Sequence, residues 1–180
     1  DVELDRTLLE GLSDPLTHLV RNSVDHGIEM PAARVAAGKS SCGLIRLSAA
    51  HLAGRVQIEV LDDGGGMDPQ KLKTKAIEKG IITPEQASRM SDEDALQLIF
   101  AAGFSTAAAL SDISGRGVGM DVVKTNIEKL GGHVEIDSRK GAGTRIIIRL
   151  PLTLAIVPAL IVGCQGTRYA IPQINVEEVV

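Results

Sequence analysis

A polar stripe runs along the first helix that the sequence predicts. Four side chains are spaced at i, i+4, i+7 and i+8, which places them on one helix face: His18, Asn22, Asp25 and His26. Asn is a mediocre helix former, and a face built only for solubility would carry Lys and Glu instead. Its amide oxygen suits Mg²⁺, which prefers hard oxygen ligands and bridges phosphates. The stripe is therefore either a solvated surface or one side of a site for phosphate and magnesium.

An acidic, glycine-rich segment follows a predicted strand and reads DDGGGMD over residues 62–68. A carboxylate at a strand end can accept a hydrogen bond from an exocyclic amine, and glycines leave room for a flat base to approach the backbone. The other interpretation is an acidic turn with no ligand. Taken alone, the segment does not decide between them.

Two further glycine segments could bind phosphate. GRGVGM at 115–120 opens a predicted helix, where backbone N–H groups and the helix dipole favour anions. It is not a Rossmann fingerprint, because a polar loop precedes it, and it lacks the GK[ST] ending of a Walker A loop. GAGT at 141–144 is by itself a hairpin turn. Each segment is weak evidence when considered alone.

Apolar periodicity predicts the helices that position these residues. Apolar side chains recur every three or four positions between 8 and 28, and we expect Pro15 to begin a new helix there. Residues 70–101 contain further helical segments, and 118–130 form a helix that ends at two glycines. The small, polar and glycine-rich residues 102–119 predict a mobile loop.

Alternating residues predict two β-hairpins, one formed by 43–50 with 55–61 and the other by 133–137 with 144–150. The order of helix, hairpin, helices and hairpin predicts a two-layer α/β sandwich, with a mixed, mostly antiparallel sheet covered by helices on one face. After Pro151, short β-type runs separated by Pro and Gly predict the start of an all-β domain. We therefore expect one domain over residues 1–150 and the beginning of another over 151–180.

Taken together, the motifs NxxDH, DDGGG, GRGVG and GxGT resemble, in this order, the sequence boxes of the GHKL ATPases, which include gyrase, histidine kinases and MutL. Three segments resemble the CheA-type chemotaxis histidine kinases in particular: HLVRNSVDHGIE at 18–29, IFAAGFST at 99–106 and GRGVGMDVV at 115–123. The resemblance covers about residues 1–150 and implies the Bergerat-type GHKL fold. The tail from LTLAI onward resembles the start of a CheW-like regulatory domain.

The resemblance implies roles for individual residues. Asn22 would ligate Mg²⁺ and hold the triphosphate, with Asp25 and His26 beside it, and Asp62 would recognise the adenine amino group. The remaining positions implied to bind ATP are Gly64, Gly66, Ser105, Gly115, Arg116, Gly117, Val118, Gly119 and Thr144.

Other residues have two interpretations each. Lys71 and Lys75 lie one helical turn apart and could direct ammonium groups at phosphate, or could be solvated helix lysines. Phe100 and Phe104 resemble the phenylalanine box that couples the ATP lid to the domain, although core packing explains them equally well. His18 occupies the position where histidine kinases generally carry a glutamate. A neutral imidazole there could accept the proton of an attacking histidine or orient that histidine.

The implied reaction is transfer of the γ-phosphoryl group of MgATP to a histidine, which depends mainly on positioning and charge neutralisation. The implied partners are ATP, a phosphoacceptor domain of the same protein, a CheW-like adaptor and chemoreceptor bound through the C-terminal domain, and, indirectly, a response regulator. One alternative is a conformational ATPase like gyrase or MutL, although position 18 lacks the glutamate. The other is a non-catalytic signalling adaptor, against which the presence of Asn22 and Asp62 argues.

Composition excludes several classes. A net charge of -4, with one Tyr, two Phe and no Trp among 180 residues, gives no reason to expect a nucleic-acid partner. No apolar run approaches the roughly 20 residues that span a bilayer, and the start lacks a secretory signal. We therefore expect a cytoplasmic segment of a longer protein. Cys42 and Cys164 are far apart and predict neither a zinc site nor a disulfide framework.

Overall fold

The computed structural model of the chain describes residues 6–52, 54–104, 119–151, 159–164, 166–172 and 176. Its helices are α1 (Arg6–Asn22), a π-helical turn (Ser23–Gly27), α2 (Pro31–Ala36), α3 (Pro69–Glu78), α4 (Pro84–Arg89), α5 (Asp92–Gln97), a 3₁₀ turn (Leu98–Phe100) and α6 (Met120–Lys129). Its strands are β1 (Ile45–Leu52), β2 (Arg55–Asp62), β3 (His133–Arg139), β4 (Gly143–Pro151), β5 (Ala159–Cys164) and β6 (Thr167–Pro172).

Four strands form one sheet in the order β1-β2-β4-β3, and both predicted hairpins are confirmed. Every pairing between the described strands of this sheet is antiparallel, which agrees with the mostly antiparallel sheet we predicted. Alternate residues of the two central strands are buried and face each other across the pairing: Val56 with Leu150, Ile58 with Ile148, and Val60 with Ile146. This is the period of two that a sheet with one covered face requires.

One hydrophobic cluster joins the buried face of the sheet to the helices. It contains Leu12 and Leu19 of α1, Ala95 and Leu96 of α5, and Val123 and Ile127 of α6, together with the buried residues of β2, β3 and β4. The helices therefore cover the apolar face of the sheet, and the predicted two-layer α/β sandwich is confirmed. Leu19 and Ile127 have no exposed surface.

Side-chain caps fix where the helices after the sheet begin. Asp68 accepts a hydrogen bond from the Gln70 backbone N–H, directly before Pro69 at the first position of α3. Thr83 and Gln86 form a capping box at the start of α4. Because Asp68 is the last residue of DDGGGMD, this cap makes the acidic segment run directly into a helix.

The first helix differs from the prediction in two ways. Pro15 does not begin a new helix: it lies buried inside an uninterrupted α1. After Asn22 the winding changes from α to π, and the Ile28 N–H bonds to the Ser23 carbonyl at 2.8 Å. A π-turn holds more residues than an α-turn, so Asp25 and His26 no longer have the alignment with His18 and Asn22 that a continuous α-helix would give. The polar stripe therefore does not continue past the end of α1.

The last two strands, β5 and β6, pair antiparallel as a separate two-stranded sheet, with Ala159 opposite Pro172. The predicted β character after Pro151 is confirmed for these residues, while the domain boundary at 150/151 stays a prediction. Within the described ranges, no helix combines the length and the apolarity that crossing a membrane requires.

Candidate functional site

Asp62, the last residue of β2, is a buried carboxylate held by neutral donors. Its Oδ1 accepts hydrogen bonds from the backbone N–H groups of Gly64 at 3.0 Å and Thr144 at 3.2 Å. Its Oδ2 accepts one from the hydroxyl of Ser23 at 3.0 Å. Across the described part of the chain, no cationic side chain forms an ion pair with it. A carboxylate accepts about four hydrogen bonds, so Oδ2 retains capacity for one more donor.

The glycines after Asp62 let three backbone segments meet. A Cβ on Gly64 would lie 2.0 Å from the carbonyl oxygen of Gly27, at the end of the π-turn. Gly66 has φ +62°, and a Cβ there would lie 2.0 Å from the carbonyl oxygen of Arg139 on β3. We expected these glycines to leave room for a ligand. Their first effect is to pack the DDGGG loop between the π-turn and the β3–β4 hairpin.

Thr144 lies directly opposite Asp62 in the pairing of β2 with β4. Its hydroxyl is 2.9 Å from that of Ser138, which in turn accepts a hydrogen bond from the Met67 N–H at 2.9 Å. Two of the predicted nucleotide-binding residues, one from each hairpin, are therefore brought together. Ser138 was not predicted, because a serine in an alternating strand carries no signal of its own.

Asn22, at the end of α1, meets the beginning of α6. Its Nδ2 donates to the Sδ of Met120 at 3.2 Å, and Gly119 is the N-cap of α6. Among the described residues none donates to Asn22 Oδ1, so this oxygen faces no competing partner there. The next residue, Ser23, donates to Asp62, so Asn22 is one residue away from a side chain that contacts this carboxylate.

His18 lies one turn before Asn22 on α1 and is half-buried. Burial lowers the pKa of its imidazole, and the nearby positive charge of Arg21 lowers it further. Near pH 7 the ring is therefore neutral and has one nitrogen able to accept a proton.

Several predicted residues form no hydrogen bond with Asp62, Thr144 or Asn22 in the described part of the chain. Asp25 and His26 are exposed on the π-turn. Lys71 and Lys75 are exposed on α3, and Lys75 Nζ lies 5.3 Å from the centre of the Phe104 ring. Ser105, Gly115, Arg116, Gly117 and Val118, with most of the predicted mobile loop, lie outside the described residues.

The two phenylalanines are part of the core. Phe100 and Phe104 are 5% and 4% exposed and belong to the main hydrophobic cluster. Lys79, which the sequence did not single out, donates to the carbonyl groups of Gly103 at 3.1 Å and Phe104 at 2.8 Å. Core packing thus accounts for both phenylalanines, while a coupling to the ATP lid stays a prediction.

A group of charged residues behind the DDGGG loop was also missed. Arg34 is almost fully buried and forms ion pairs with Glu29 and Asp63, and Lys39 pairs with Glu29. Hydrogen bonds from the Leu44 N–H and from Arg34 lower the pKa of Asp63. The hydrogen bond from Lys39 lowers the pKa of Glu29. The one feature of the sequence that could have indicated this group was Asp63, because a second carboxylate directly beside Asp62 is stabilised by a nearby cation.

Comparison with known proteins identifies the family of the chain. Residues 11–154 match the family model described as "Histidine kinase-, DNA gyrase B-, and HSP90-like ATPase". The chain is 53% identical over 180 residues to "Sensor histidine kinase CheAY" of Helicobacter pylori, covering 100% of this chain and 22% of that protein. It is 55% identical over 170 residues to "Chemotaxis protein CheA" of Klebsiella aerogenes, covering 94% of this chain and 26% of that protein.

A third relative, "Chemotaxis protein CheA" of Bacillus subtilis, is 49% identical over 172 residues, covering 96% of this chain and 26% of that protein. The chain thus spans about a quarter of the length of these relatives. Among solved structures, the catalytic domain of the histidine kinase ThkA is 21% identical, with a TM-score of 0.48, covering 84% of this chain and 70% of that one.

Proposed function

Because the chain belongs to the histidine kinase-, DNA gyrase B- and HSP90-like ATPase family, we propose that it is the ATP-binding catalytic domain of a CheA-like sensor histidine kinase. The names of the relatives that are 49–55% identical to it support chemotaxis as the process. The reaction is transfer of the γ-phosphoryl group of ATP to a histidine on a separate domain.

The observation that carries this proposal is the geometry of Asp62. Its carboxylate is buried, is held by three neutral donors and keeps an acceptor position on Oδ2. Adenine presents an amino group at its 6-position, whereas guanine presents a carbonyl oxygen there. A fixed carboxylate acceptor can pair with the adenine amino group. Because the family is one of ATPases, we take the nucleotide to be ATP, with its base edge on Asp62 beside Thr144.

Asn22 and the beginning of α6 provide the phosphate side of the site. The first N–H groups of an α-helix lack intrahelical acceptors and bind anions, and Gly119 opens α6 beside Asn22. Asn22 Oδ1 would be the protein ligand for Mg²⁺, and this donor type suits a hard cation. Within the described ranges, no cluster of three acidic, His or Cys side chains offers an all-protein metal site. When bound, Mg²⁺ would neutralise phosphate charge.

His18 is proposed to act on the acceptor histidine. Its lowered pKa keeps the imidazole neutral at pH 7, where it can accept a proton from the attacking ring or hold that ring in place. Residues 151–180, which include β5 and β6, are proposed to begin a CheW-like domain through which an adaptor and a chemoreceptor bind. A response regulator then receives the phosphoryl group from the acceptor domain.

Labelled ATP tests the proposal directly. We expect the chain to bind a fluorescent ATP analogue with Mg²⁺ and to label a separately added phosphoacceptor domain, but not a variant of that domain whose acceptor histidine is replaced by Gln. Hydrolysis without transfer would instead identify a conformational ATPase. Failure to bind nucleotide at millimolar concentration would refute the proposal and favour a non-catalytic adaptor.

A further inference from the structure

Arg34 lies on the outer side of the DDGGG loop, and each of its N–H donors has a hydrogen-bond acceptor. Its side chain is 1% exposed, and all five N–H groups have acceptors. Nη2 bonds to Asp63 Oδ2 at 2.8 Å and Nη1 to the Asp63 carbonyl at 3.1 Å. The other acceptors are Glu29 and the carbonyl groups of Ser40 and Cys42. A buried guanidinium with complete hydrogen bonding holds its partners in one arrangement.

Lys39 holds the same loop from beside Arg34. Its three N–H groups bond to Glu29 Oε1 at 2.8 Å, to the Asp63 carbonyl at 2.9 Å and to the Gly64 carbonyl at 2.7 Å. Two positive charges therefore converge on the Asp63 carbonyl oxygen. Glu29 and Asp63 balance these charges, so the cluster as a whole is neutral.

The held carbonyl groups control the inner side of the loop through the peptide planes. The Asp63 carbonyl and the Gly64 N–H belong to one planar trans peptide unit, so they point in opposite directions. That N–H donates to Asp62 Oδ1. In the next unit, Lys39 holds the Gly64 carbonyl, and the Gly65 N–H donates to the Gly27 carbonyl at 2.8 Å.

We propose that Arg34 and Lys39 are positioning residues for nucleotide binding, because they fix two peptide units whose opposite edges orient the Asp62 carboxylate and dock the loop on the π-turn. Neither cation touches Asp62. Positive charge on a carbonyl oxygen also polarises its peptide unit, which strengthens the N–H that holds the carboxylate. This inference rests on the proposed function, in which Asp62 binds adenine.

The principal variant is Lys39→Met, because the Lys39 side chain is partly exposed at 19% and its removal leaves Arg34 paired with Asp63. Lys39→Arg is the conservative rescue. Lys129→Met is the matched control, since that lysine is exposed at the end of α6, far along the chain from the loop. Arg34→Lys keeps the charge but has three donors instead of five. It is a second, independent variant that weakens the hydrogen bonding to the Asp63 carbonyl group.

Two measurements on the 180-residue chain test the inference. The first is the affinity for a fluorescent ATP analogue with Mg²⁺, which we expect to fall about tenfold in Lys39→Met, to recover in Lys39→Arg and to stay unchanged in Lys129→Met. The second is the Gly64 amide proton shift in NMR spectra without nucleotide. We expect it to move in Lys39→Met and Arg34→Lys, in the direction expected for Asp62→Asn, because its hydrogen bond to the carboxylate weakens.

The outcomes separate the two proposals. If the unaltered chain binds no nucleotide, the proposed function fails, and the Gly64 shift still reports whether the cations orient the loop. If Lys39→Met is folded and binds the analogue within twofold of the unaltered chain, the positioning role is overturned. An unmoved Gly64 amide in both variants overturns it as well. A thermal unfolding curve for each variant identifies loss of fold. If Lys39→Met does not fold, the analogue affinity and the Gly64 shift of Arg34→Lys test the positioning role instead.

Discussion

Replacing Asp62 with asparagine should weaken ATP binding strongly while leaving the fold intact. The two backbone donors, Gly64 N–H and Thr144 N–H, both bond to Oδ1, so the amide oxygen of Asn must occupy that position. The amide NH₂ then replaces Oδ2 and faces the hydroxyl of Ser23. A hydroxyl both donates and accepts, so Ser23 can reverse its hydrogen bond and accept from the new NH₂. Every internal hydrogen bond is thereby preserved.

The substitution is unfavourable in free energy only when nucleotide binds. The adenine amino group then faces an NH₂ donor in place of a carboxylate oxygen. Loss of a hydrogen bond to a charged group costs about 1.5–3 kcal/mol, and leaving a buried donor unpaired costs about 1–3 kcal/mol more. The sum of about 2.5 kcal/mol or more corresponds to an affinity at least about 50-fold weaker. The substitution changes few atoms, so packing contributes little to the difference.

Titration with a fluorescent ATP analogue and Mg²⁺, followed by thermal unfolding of the same samples, measures both halves of this expectation. Asp137→Asn is the matched control, because it makes the same chemical change at an exposed position on β3. Binding by folded Asp62→Asn within a few-fold of the unaltered chain would refute base recognition by Asp62. A large drop in the unfolding temperature would refute the reversal of the Ser23 hydroxyl.

Three other changes give independent expectations. Gly143→Ala should lower the unfolding temperature far more than Gly141→Ala: both have positive φ, but only the first would place a Cβ 2.0 Å from a β2 carbonyl oxygen. Met120→Leu nearly conserves volume, so stability should change by less than about 1.5 kcal/mol. Isothermal titration should nevertheless show weaker MgATP binding, because Asn22 loses the acceptor that orients its amide. Burial holds the pKa of His18 below its usual value, so stability present above about pH 6.5 is lost as the pH falls toward the folded-state pKa. Urea unfolding of His18→Gln should lose less stability between pH 7.5 and pH 5.5, and an equal loss would contradict this.

Local patterns in the sequence predicted the hairpins, and the resemblance to a known family implied the residues of the candidate site. The alternation of Val56, Ile58 and Val60 with polar residues is the direct consequence of burying one face of a strand, so the β2 strand could be predicted from spacing alone. Asp62 at the end of that strand was singled out by residue type and position, whereas Thr144 at the start of its partner was implied by the family resemblance. Their meeting across the sheet then followed from the antiparallel register.

Long-range contacts determined the features that local patterns in the sequence did not predict. The two adjacent carboxylates of DDGGG look equivalent in the sequence, yet Asp62 turns inward to neutral donors while Asp63 turns outward to Arg34. The π-turn after Asn22 and the unbroken helix at Pro15 also override local signals. For the two carboxylates, the deciding partners are brought together only by tertiary packing. Residue periodicity records which face is buried, but it does not record which distant polar group satisfies a buried carboxylate or carbonyl.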